Sequence, residues 1–443
     1  MRSRGWIGAA LTGVALACTV VPAPAQPPAA DAVIIDQQWL TPRTLRLTVA
    51  TDAFAAPVPV EVTLPLDYAA ESARRWPVTY YLGGTAHDET TFRSYNGEAV
   101  TESYPSLVVS PRGDAGYWSD WLGAPGTFAP KYESFVTGQL IALIDATFRT
   151  VPDRAHRAIM GESMGGFGAM MLSARHPDRF AAVASLSGDV DINTPATWTV
   201  LSQSPLLQGG VGDAIYGSRA DQEIRWRGHN PADLAANLAG LDLQLYTGNG
   251  VYDPAGGETQ LEASLGCPVE GGIINPASRS MHTVLTDLGI AHRWMELAWG
   301  CHGVALFETE MRHAIARFEQ VFTDPPPTLR SFDFRSIDPA FEIRGWSVRA
   351  DPTRAVEFLE LGSADADGFT LTGSGTTTIT TPALAPAPAL PTVTVDGQPT
   401  AVSRDEHGRL TLTVDLGPAN AQQQFTPGAS TPVRSAEVRI LHR

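Results

Sequence analysis

Short apolar runs alternate with longer segments of mixed polarity through the first three quarters of the chain. The runs have the length of buried strands, and we predict strands at residues 44–50, 58–65, 77–82, 106–109, 158–160, 181–187, 241–246 and 292–297. Helices are predicted at residues 135–148, 166–175, 233–238, 278–288 and 306–322. Strands that alternate with helices form a mostly parallel sheet covered by helices. The pattern therefore predicts an α/β domain over residues 41–323.

The pattern changes after the proline run Pro325–Pro327, which stops the last predicted helix. The remaining sequence consists of short alternating or β-branched runs, separated by turn signals such as Asp396-Gly397. Strands of this kind at close spacing are typical of a β-sandwich. We therefore predict a Pro-rich linker at residues 324–331 and a small all-β, sandwich-like C-terminal domain over residues 332–443.

The N-terminus has the layout of an export signal. Two arginines precede an apolar run over residues 6–21, and Ala23-Pro24-Ala25 then places small residues at a cleavage site. Such a run is too short for a membrane span and fits a cleavable leader. We expect a signal peptide over residues 1–25, a spacer over residues 26–40, and a protein that is secreted or held in the cell envelope.

Composition narrows the partners of the protein. Of 443 residues 18% are charged, and the formal net charge is −16. Nucleic acid and anionic membrane surfaces bind clustered basic residues, so neither is an expected partner. No segment after the leader is apolar enough to predict a membrane span.

Loss of the leader would leave Cys267 and Cys301, and two cysteines in an oxidising compartment predict one disulfide bond.

The clearest candidate chemistry lies at Gly161-Glu162-Ser163-Met164-Gly165, which fits the pattern G-x-S-x-G. A predicted buried strand precedes the motif and a predicted helix follows it. A sharp strand-to-helix turn of this type exposes the serine hydroxyl at the carboxyl edge of the sheet, above the helix N-terminus. The context therefore predicts an α/β-hydrolase fold with Ser163 as a nucleophile.

A serine hydroxyl needs a base to accept its proton, and this fold supplies the base from a loop after the last core strand. His302 lies between the last predicted strand and the final helix, which no other histidine of the chain does. We predict that His302 is the general base. For His87, His176 and His282 we favour structural or surface roles, although His87 lies near the loop expected to contact substrate.

Two acidic residues compete for the position that orients the base. Asp253 lies at the usual distance beyond the strand at residues 241–246, and Glu270 lies further along the chain. Cys267 precedes Glu270 by three residues, and Cys301 adjoins His302, so a bridge would fasten the acid segment to the base loop. This argument favours Glu270, with Asp253 as the alternative.

An oxyanion hole requires two backbone N–H donors directed at the developing negative charge. Met164 follows the nucleophile directly and is expected to supply one of them. The other should come from the glycine-rich loop after the strand at residues 77–82, and we predict Thr85. No cluster of His, Cys and acidic residues has metal-ligand spacing, so no metal and no cofactor are expected.

Several further blocks of sequence resemble blocks in the sequences of one known family, and they occur in the same order. They are Tyr117–Trp121, Lys131–Phe135, Ala184–Gly188, Asn230-Pro231 and Gly248–Gly250. In this pattern the chain, over roughly residues 40–322, resembles the secreted mycobacterial mycolyltransferases, the fibronectin-binding antigens of the wider esterase D family. The resemblance implies an α/β-hydrolase fold and acyl transfer through a serine acyl-enzyme. It also implies that the acid is a glutamate in a Glu-Gly motif, which here is Glu270-Gly271.

The chain also departs from that family. Gly83-Gly84-Thr85-Ala86 replaces the acid and arginine that hold trehalose in the mycolyltransferases, Val304 replaces a tryptophan, and the C-terminal β domain is additional. Residues 164–168 look more like S-formylglutathione hydrolases. We therefore predict a secreted serine esterase or acyltransferase that acts on lipid or glycolipid esters, releases the acyl group to water or a sugar hydroxyl, and associates with the cell wall. The alternative is a non-catalytic protein that binds cell wall or a host protein on a hydrolase scaffold.

Overall fold

The computed structural model of the chain describes residues 32–124, 126–384 and 390–441. The predicted signal peptide at residues 1–25 lies outside the described residues, as does the first part of the predicted spacer.

The larger part of the fold is built on one sheet. Within the described residues it contains nine strands in the order β1-β2-β3-β5-β4-β6-β7-β8-β9. In chain order they are β1 Val33–Trp39, β2 Thr44–Ala50, β3 Val58–Thr63, β4 Val78–Leu82, β5 Leu107–Pro111, β6 Arg157–Glu162, β7 Ala182–Leu186, β8 Asp242–Thr247 and β9 Arg293–Glu296. The strands from β5 to β9 pair in parallel, and the first three strands add to them antiparallel.

Helices cover both faces of this sheet. They are α1 Thr91–Ser94, α2 Gly97–Val100, α3 Tyr132–Ser134, α4 Ile141–Thr147, α5 Met164–Arg175, α6 Pro195–Gln203, α7 Arg219–Arg227, α8 Cys267–Val269, α9 Asn275–Asp287 and α10 Val304–Thr323. Side chains alternate across a strand, so Tyr80 of β4 joins the core under α5 while Tyr81 joins the core under α10. This arrangement confirms the predicted α/β-hydrolase fold. None of the described helices has the length and apolar character to cross a membrane.

Three π-helical segments interrupt or extend the helices. They are Phe135–Leu140, which joins α3 to α4, and Glu262–Gly266 and Glu270–Ile274, which flank α8. Short 3₁₀ turns occur at Arg154–His156, Ser204–Gln208, Ala235–Leu238 and Pro254–Gly256. π-helical turns often occur at functional sites, and two of them flank α8 close to Glu270.

The helices α1, α2, α6, α7 and α8 were not predicted, and two further segments differ in form from the sequence prediction. Strand β1 lies inside the predicted spacer at residues 26–40, where it pairs with β2 at the edge of the sheet. Its side chains are almost all exposed, so it lacks the buried alternation that identifies a strand in a sequence. The helix predicted at residues 233–238 is a 3₁₀ turn, Ala235–Leu238.

The C-terminal part is all-β, as predicted. Its strands are β10 Phe332–Ser336, β11 Ala340–Ile343, β12 Trp346–Ala350, β13 Leu359–Asp365, β14 Gly368–Gly373, β15 Thr376–Thr380, β16 Thr392–Val395, β17 Gln398–Pro399, β18 Ser403–Arg404, β19 Leu410–Asp415 and β20 Arg434–Leu441. They form two antiparallel sheets, ordered β10-β13-β14-β20-β16-β17 and β11-β12-β15-β19-β18. One apolar core contains residues of both sheets, among them Leu361 of the first and Ile379 of the second.

The β part packs directly against the hydrolase part. Asn237 accepts a hydrogen bond from the Arg335 N–H and donates one to the Arg335 carbonyl, both at 2.9 Å. The guanidinium of Arg175, at the end of α5, lies 3.0 Å from the carboxylate of Asp338. Ile337 belongs to the core of the hydrolase part although it lies in the C-terminal sequence.

Candidate active site

Ser163 lies at the bend between β6 and α5. Its backbone has φ 56° and ψ −124°, a conformation that a non-glycine residue adopts only under strain. A Cβ atom on Gly161 would lie 2.5 Å from the Leu82 carbonyl oxygen, and one on Gly165 would lie 1.9 Å from it. Only glycine therefore fits at either side of the bend. The tight turn and its close contact with β4 are as the motif predicts.

His302 reaches the serine from the loop between β9 and α10. Its Nε2 lies 2.8 Å from the Ser163 Oγ, and its Nδ1 lies 2.7 Å from Oε2 of Glu270. The ring of Phe307 meets the imidazole edge to face with centroids 4.9 Å apart. One imidazole thus joins the serine hydroxyl to a carboxylate, which is the geometry required for base-assisted nucleophilic attack. The catalytic roles of the three residues stay predictions.

Glu270 is fully buried, and its second oxygen is held by three donors. The Oε1 atom accepts hydrogen bonds from the Gly248 N–H at 2.9 Å, the Thr247 hydroxyl at 2.7 Å and the Ser187 hydroxyl at 2.8 Å. The carboxylate is therefore fixed from one side while it faces His302 with the other. The alternative acid, Asp253, instead accepts a hydrogen bond from the Ala255 N–H within its own turn.

A second buried carboxyl group lies behind Glu270 and was not anticipated from the sequence. Oε1 of Glu310, on α10, lies 2.9 Å from the same Ser187 hydroxyl that donates to Glu270. Burial and the negative charge of Glu270 raise the pKa of Glu310 well above its ordinary value. A single hydroxyl can donate only one proton, so the protonated Glu310 can donate to Ser187 while Ser187 donates to Glu270.

The acid segment and the base loop are joined covalently. A disulfide connects Cys267 to Cys301, the pairing expected from the sequence. The same segments are also closely packed, because a Cβ on Gly266 would lie 2.4 Å from the carbonyl oxygen of His302. Glu270 and His302 are therefore held on two segments whose separation is fixed.

The loop after β4 packs against Ser163, since a Cβ on Gly84 would lie 3.3 Å from the Ser163 Cβ. Oε1 of the buried Glu162 accepts a hydrogen bond from the Gly84 N–H at 2.7 Å and lies 2.8 Å from Nδ1 of His87. This contact with Glu162 raises the pKa of His87. Among the described residues, no backbone carbonyl accepts a hydrogen bond from the N–H of Thr85 or of Met164 in a turn, loop or cap. Both stay predicted oxyanion donors, and Thr85 lines the same cavity as Ser163.

These residues open into one cavity of about 410 Å³. Its polar lining comprises Ser163, His302, Thr85, His87, Tyr95, Tyr117, Asp189 and Glu262, and its apolar lining comprises Val200, Val269, Ile273, Ile274, Val304 and Phe307. Burial raises the pKa of Asp189, and the hydrogen bond that Tyr117 donates to it acts in the opposite direction. Ser163, His302, Thr85 and His87 were candidates from the sequence. The other lining residues had no role assigned, because distant loops supply them. Within the described residues, no group of three or more His, Cys, Asp or Glu side chains could hold a metal ion.

Comparison with known proteins agrees with this geometry. Residues 51–271 match the model of a family described as "Putative esterase". Over 280 residues the chain is 30% identical to Esterase Rv1288 of Mycobacterium tuberculosis strain H37Rv, covering 60% of this chain and 57% of that protein. It is 31% identical over 195 residues to diacylglycerol acyltransferase/mycolyltransferase Ag85B of Mycobacterium avium, covering 41% of this chain and 57% of that protein. The chain thus spans little more than half the length of these curated relatives.

Two solved structures share the fold. MPT51 (FbpC1) of Mycobacterium tuberculosis superposes with a TM-score of 0.51 at 20% identity, covering 62% of this chain and 97% of that chain. An S-formylglutathione hydrolase from Agrobacterium tumefaciens also gives a TM-score of 0.51, at 17% identity, covering 65% of this chain and 99% of that chain.

Proposed function

We propose that this protein is a serine esterase or acyltransferase with Ser163, His302 and Glu270 as its catalytic residues. Its residues 51–271 belong to the esterase family. One observation supports this most strongly. A strained serine at a strand-to-helix bend shares a continuous line of hydrogen bonds with an imidazole and a buried glutamate.

In the first half of the reaction His302 accepts the proton of Ser163 as the serine Oγ attacks the ester carbonyl carbon. The carbonyl oxygen becomes an oxyanion, to which the N–H groups of Met164 and Thr85 donate. Glu270 holds the imidazole in position and stabilises its positive charge. When the tetrahedral intermediate collapses, the bond to the alcohol oxygen breaks and His302 returns the proton to that alcohol. Ser163 is then acylated.

In the second half an acceptor hydroxyl takes the place of the alcohol. His302 deprotonates water or a sugar hydroxyl, which attacks the acyl carbon. When this second tetrahedral intermediate collapses, the bond to the Ser163 Oγ breaks and His302 returns the proton to that oxygen. We propose lipid or glycolipid esters as substrates. The apolar wall of the cavity supports this, as does a relative named for diacylglycerol acyltransferase and mycolyltransferase activity. Secretion to the cell envelope, with a signal peptide at residues 1–25, belongs to the same proposal.

Replacement of the nucleophile tests the proposal. We expect Ser163→Ala to lower turnover of a nitrophenyl ester by a factor on the order of 10³ or more, because no hydroxyl remains to form the acyl-enzyme. The variant should also lose labelling by a fluorophosphonate probe. Ser264→Ala is the matched control, since its hydroxyl donates only to the Gln260 carbonyl of its own exposed turn.

Circular dichroism should show that both variants are folded. A wild-type protein that is folded but neither turns over esters nor reacts with the probe would reject the enzyme proposal. It would favour a binding protein on a hydrolase scaffold.

A further inference from the structure

Asp189 is an acidic residue of the cavity for which the catalytic steps above have no use. It follows β7 in the loop after Ser187 and is only 4% exposed. Its side chain lines the same cavity as Ser163 and His302. A carboxyl group is therefore buried beside the place where the ester must bind.

Only one of the two carboxylate oxygens of Asp189 accepts a hydrogen bond from another described residue. Oδ2 accepts a hydrogen bond from the Tyr117 hydroxyl at 3.0 Å. Oδ1 is buried and accepts none from the described protein. Because a buried polar atom without a partner is unfavourable, nearly all such atoms in proteins are hydrogen-bonded. Oδ1 is thus an acceptor for which no other described residue supplies a donor.

The surrounding structure holds this acceptor in place. The Tyr117 ring contacts Phe167 edge to face with centroids 5.6 Å apart. The backbone N–H of Tyr117 donates a hydrogen bond to the sulfur of Met164 at 3.3 Å. Tyr117 itself has φ 49°, which only tight surroundings maintain in a tyrosine. The donor behind Asp189 is therefore rigid, and the carboxylate cannot easily turn away from the cavity.

The other acidic residue of the cavity lining, Glu262, has partners. Its carboxylate accepts hydrogen bonds from the N–H of Thr259 at 2.6 Å and from the Thr259 hydroxyl at 2.8 Å. Glu162 also has a buried oxygen without a protein donor, Oε2, but Glu162 does not line the cavity. Among the acidic residues of the lining, the buried unpartnered oxygen therefore belongs to Asp189.

We propose that Asp189 forms a subsite that binds a hydroxyl group of the substrate, so that the preferred esters carry a hydroxyl close to the scissile bond. The inference rests on the proposed esterase function and adds a substrate class to it. A substrate hydroxyl would donate to Oδ1 while Tyr117 donates to Oδ2. An ester without the hydroxyl would leave Oδ1 unpaired, which is the basis of strong discrimination in buried sites.

The hydroxyl can belong to either side of the ester, and matched substrates distinguish the two sources. Propyl butyrate has no hydroxyl, propyl 3-hydroxybutyrate has one on the acyl side, and glyceryl monobutyrate has hydroxyls on the alcohol side. The quantity measured is kcat/KM for each hydroxylated ester divided by that for propyl butyrate. For the wild-type protein we expect one of these ratios to be about ten or more, the usual effect of a hydrogen bond to a charged group.

Two substitutions of Asp189 should reduce that ratio. Asp189→Leu has no acceptor and should bring it close to one, and Asp189→Asn, which keeps a weaker acceptor in the same volume, should give an intermediate value. Glu262→Gln is the matched control, because it removes a charge from the same cavity without removing an unpaired acceptor. It should preserve the wild-type ratio. The ratio is the readout because any general loss of activity cancels in it.

The outcomes separate this inference from the proposed function. A wild-type protein that hydrolyses all three esters without preference would overturn the subsite. So would an Asp189→Asn variant in which all three esters slow by the same factor, since Asp189 would then act through His302 instead of through substrate. If the wild-type protein turned over none of the esters and failed to react with the fluorophosphonate probe, the proposed function itself would fail.

Discussion

At the scale of single residues, the position of Glu310 bears on how Glu270, the proposed catalytic acid, is held. Two buried carboxyl groups share one hydroxyl, Ser187, with distances of 2.8 Å to Glu270 and 2.9 Å to Glu310. Two carboxylates so close in a buried site repel each other, so one of them retains a proton. The raised pKa of Glu310 identifies it as the protonated member. A chain of donors then runs from Glu310 through Ser187 to Glu270.

This arrangement predicts different effects for two substitutions of Glu310. Glu310→Gln keeps a donor of similar shape and should retain most of the esterase activity. Glu310→Leu removes the donor and leaves Ser187 without its second partner, so kcat should fall by about tenfold. KM should stay nearly unchanged, because Glu310 does not line the cavity. Steady-state kinetics on a nitrophenyl ester measure both constants. Equal activity in the Leu variant would show that the donor chain has no role in positioning Glu270.

The same group predicts a pH dependence of stability. The pKa of Glu310 in the folded protein lies above its ordinary value of 4.5, so above pH 4.5 the unfolded chain loses a proton that the folded chain retains. The free energy of unfolding therefore falls as pH rises, until the folded pKa is passed. The free energy of unfolding of Glu310→Gln should not show this fall. Urea denaturation between about pH 5 and pH 9 should therefore show the variant becoming more stable relative to the wild type as pH rises. Thr309→Ala, on the same helix, changes no ionisable group and serves as the control.

The sequence identifies residues well when their surroundings are local. Ser163 follows from a five-residue motif between a strand and a helix, and His302 follows from its place after the last strand. Glu310 and Asp189 could not be predicted in this way. Glu310 is a polar position on a long amphipathic helix, where an exposed residue is the usual interpretation. Only in the folded chain does α10 lie beneath β7, and only there does the loop after β7 reach the cavity.

At the scale of elements, the helical segment over residues 262–274 and the base loop act as one unit. The segment changes from π-helix to α-helix and back, and Cys267 begins its central part. The disulfide to Cys301 closes 34 residues of chain. A crosslink over a loop of this length stabilises a fold mainly by restricting the unfolded chain, by about 3–4 kcal/mol in the chain-entropy model.

Removal of the disulfide should therefore affect stability and activity together. We expect the double variant Cys267→Ala/Cys301→Ala to lose about 2–4 kcal/mol of unfolding free energy in urea denaturation. Its kcat should fall because the distance between Glu270 and His302 is no longer restrained. Intact mass with and without reductant, which should differ by two protons per bridge, establishes the bond in the wild type. A variant with wild-type stability and kcat would show that packing at Gly266 alone holds the two segments.

Elements were predictable from the sequence where they are buried on both faces. The strands β4, β6 and β7 are continuous apolar runs and lie within a few residues of their predicted positions. Strand β1 was missed because it is an exposed edge strand whose pairing, and not its own pattern, defines it. The hairpin of β11 and β12 turns at Arg344-Gly345, a turn that interrupts the apolar pattern of residues 341–348 only briefly.

At the scale of the whole molecule, the two parts of the chain share apolar packing. Ile337 and Phe358, from the C-terminal sequence, belong to the core of the hydrolase part. Gly228 is needed at this contact, because a Cβ there would lie 2.5 Å from the Ile337 side chain. Arg175 at the end of the nucleophile helix adds a partly buried ion pair with Asp338. Packing of this kind couples the unfolding of two domains, unlike a polar linker between them.

This coupling predicts that damage to the β core is detected at the catalytic site. Ile379 is fully buried within the two C-terminal sheets, and Ile337 is buried in the hydrolase core. Each substitution by Ala removes a similar apolar volume and should cost about 2–5 kcal/mol. If the two parts unfold as one unit, Ile379→Ala should lower the temperature at which esterase activity is lost by several degrees, about as much as Ile337→Ala does. An activity midpoint that moves only with Ile337→Ala would mean that the β sheets unfold separately, and their contact with α5 would then not stabilise the catalytic site.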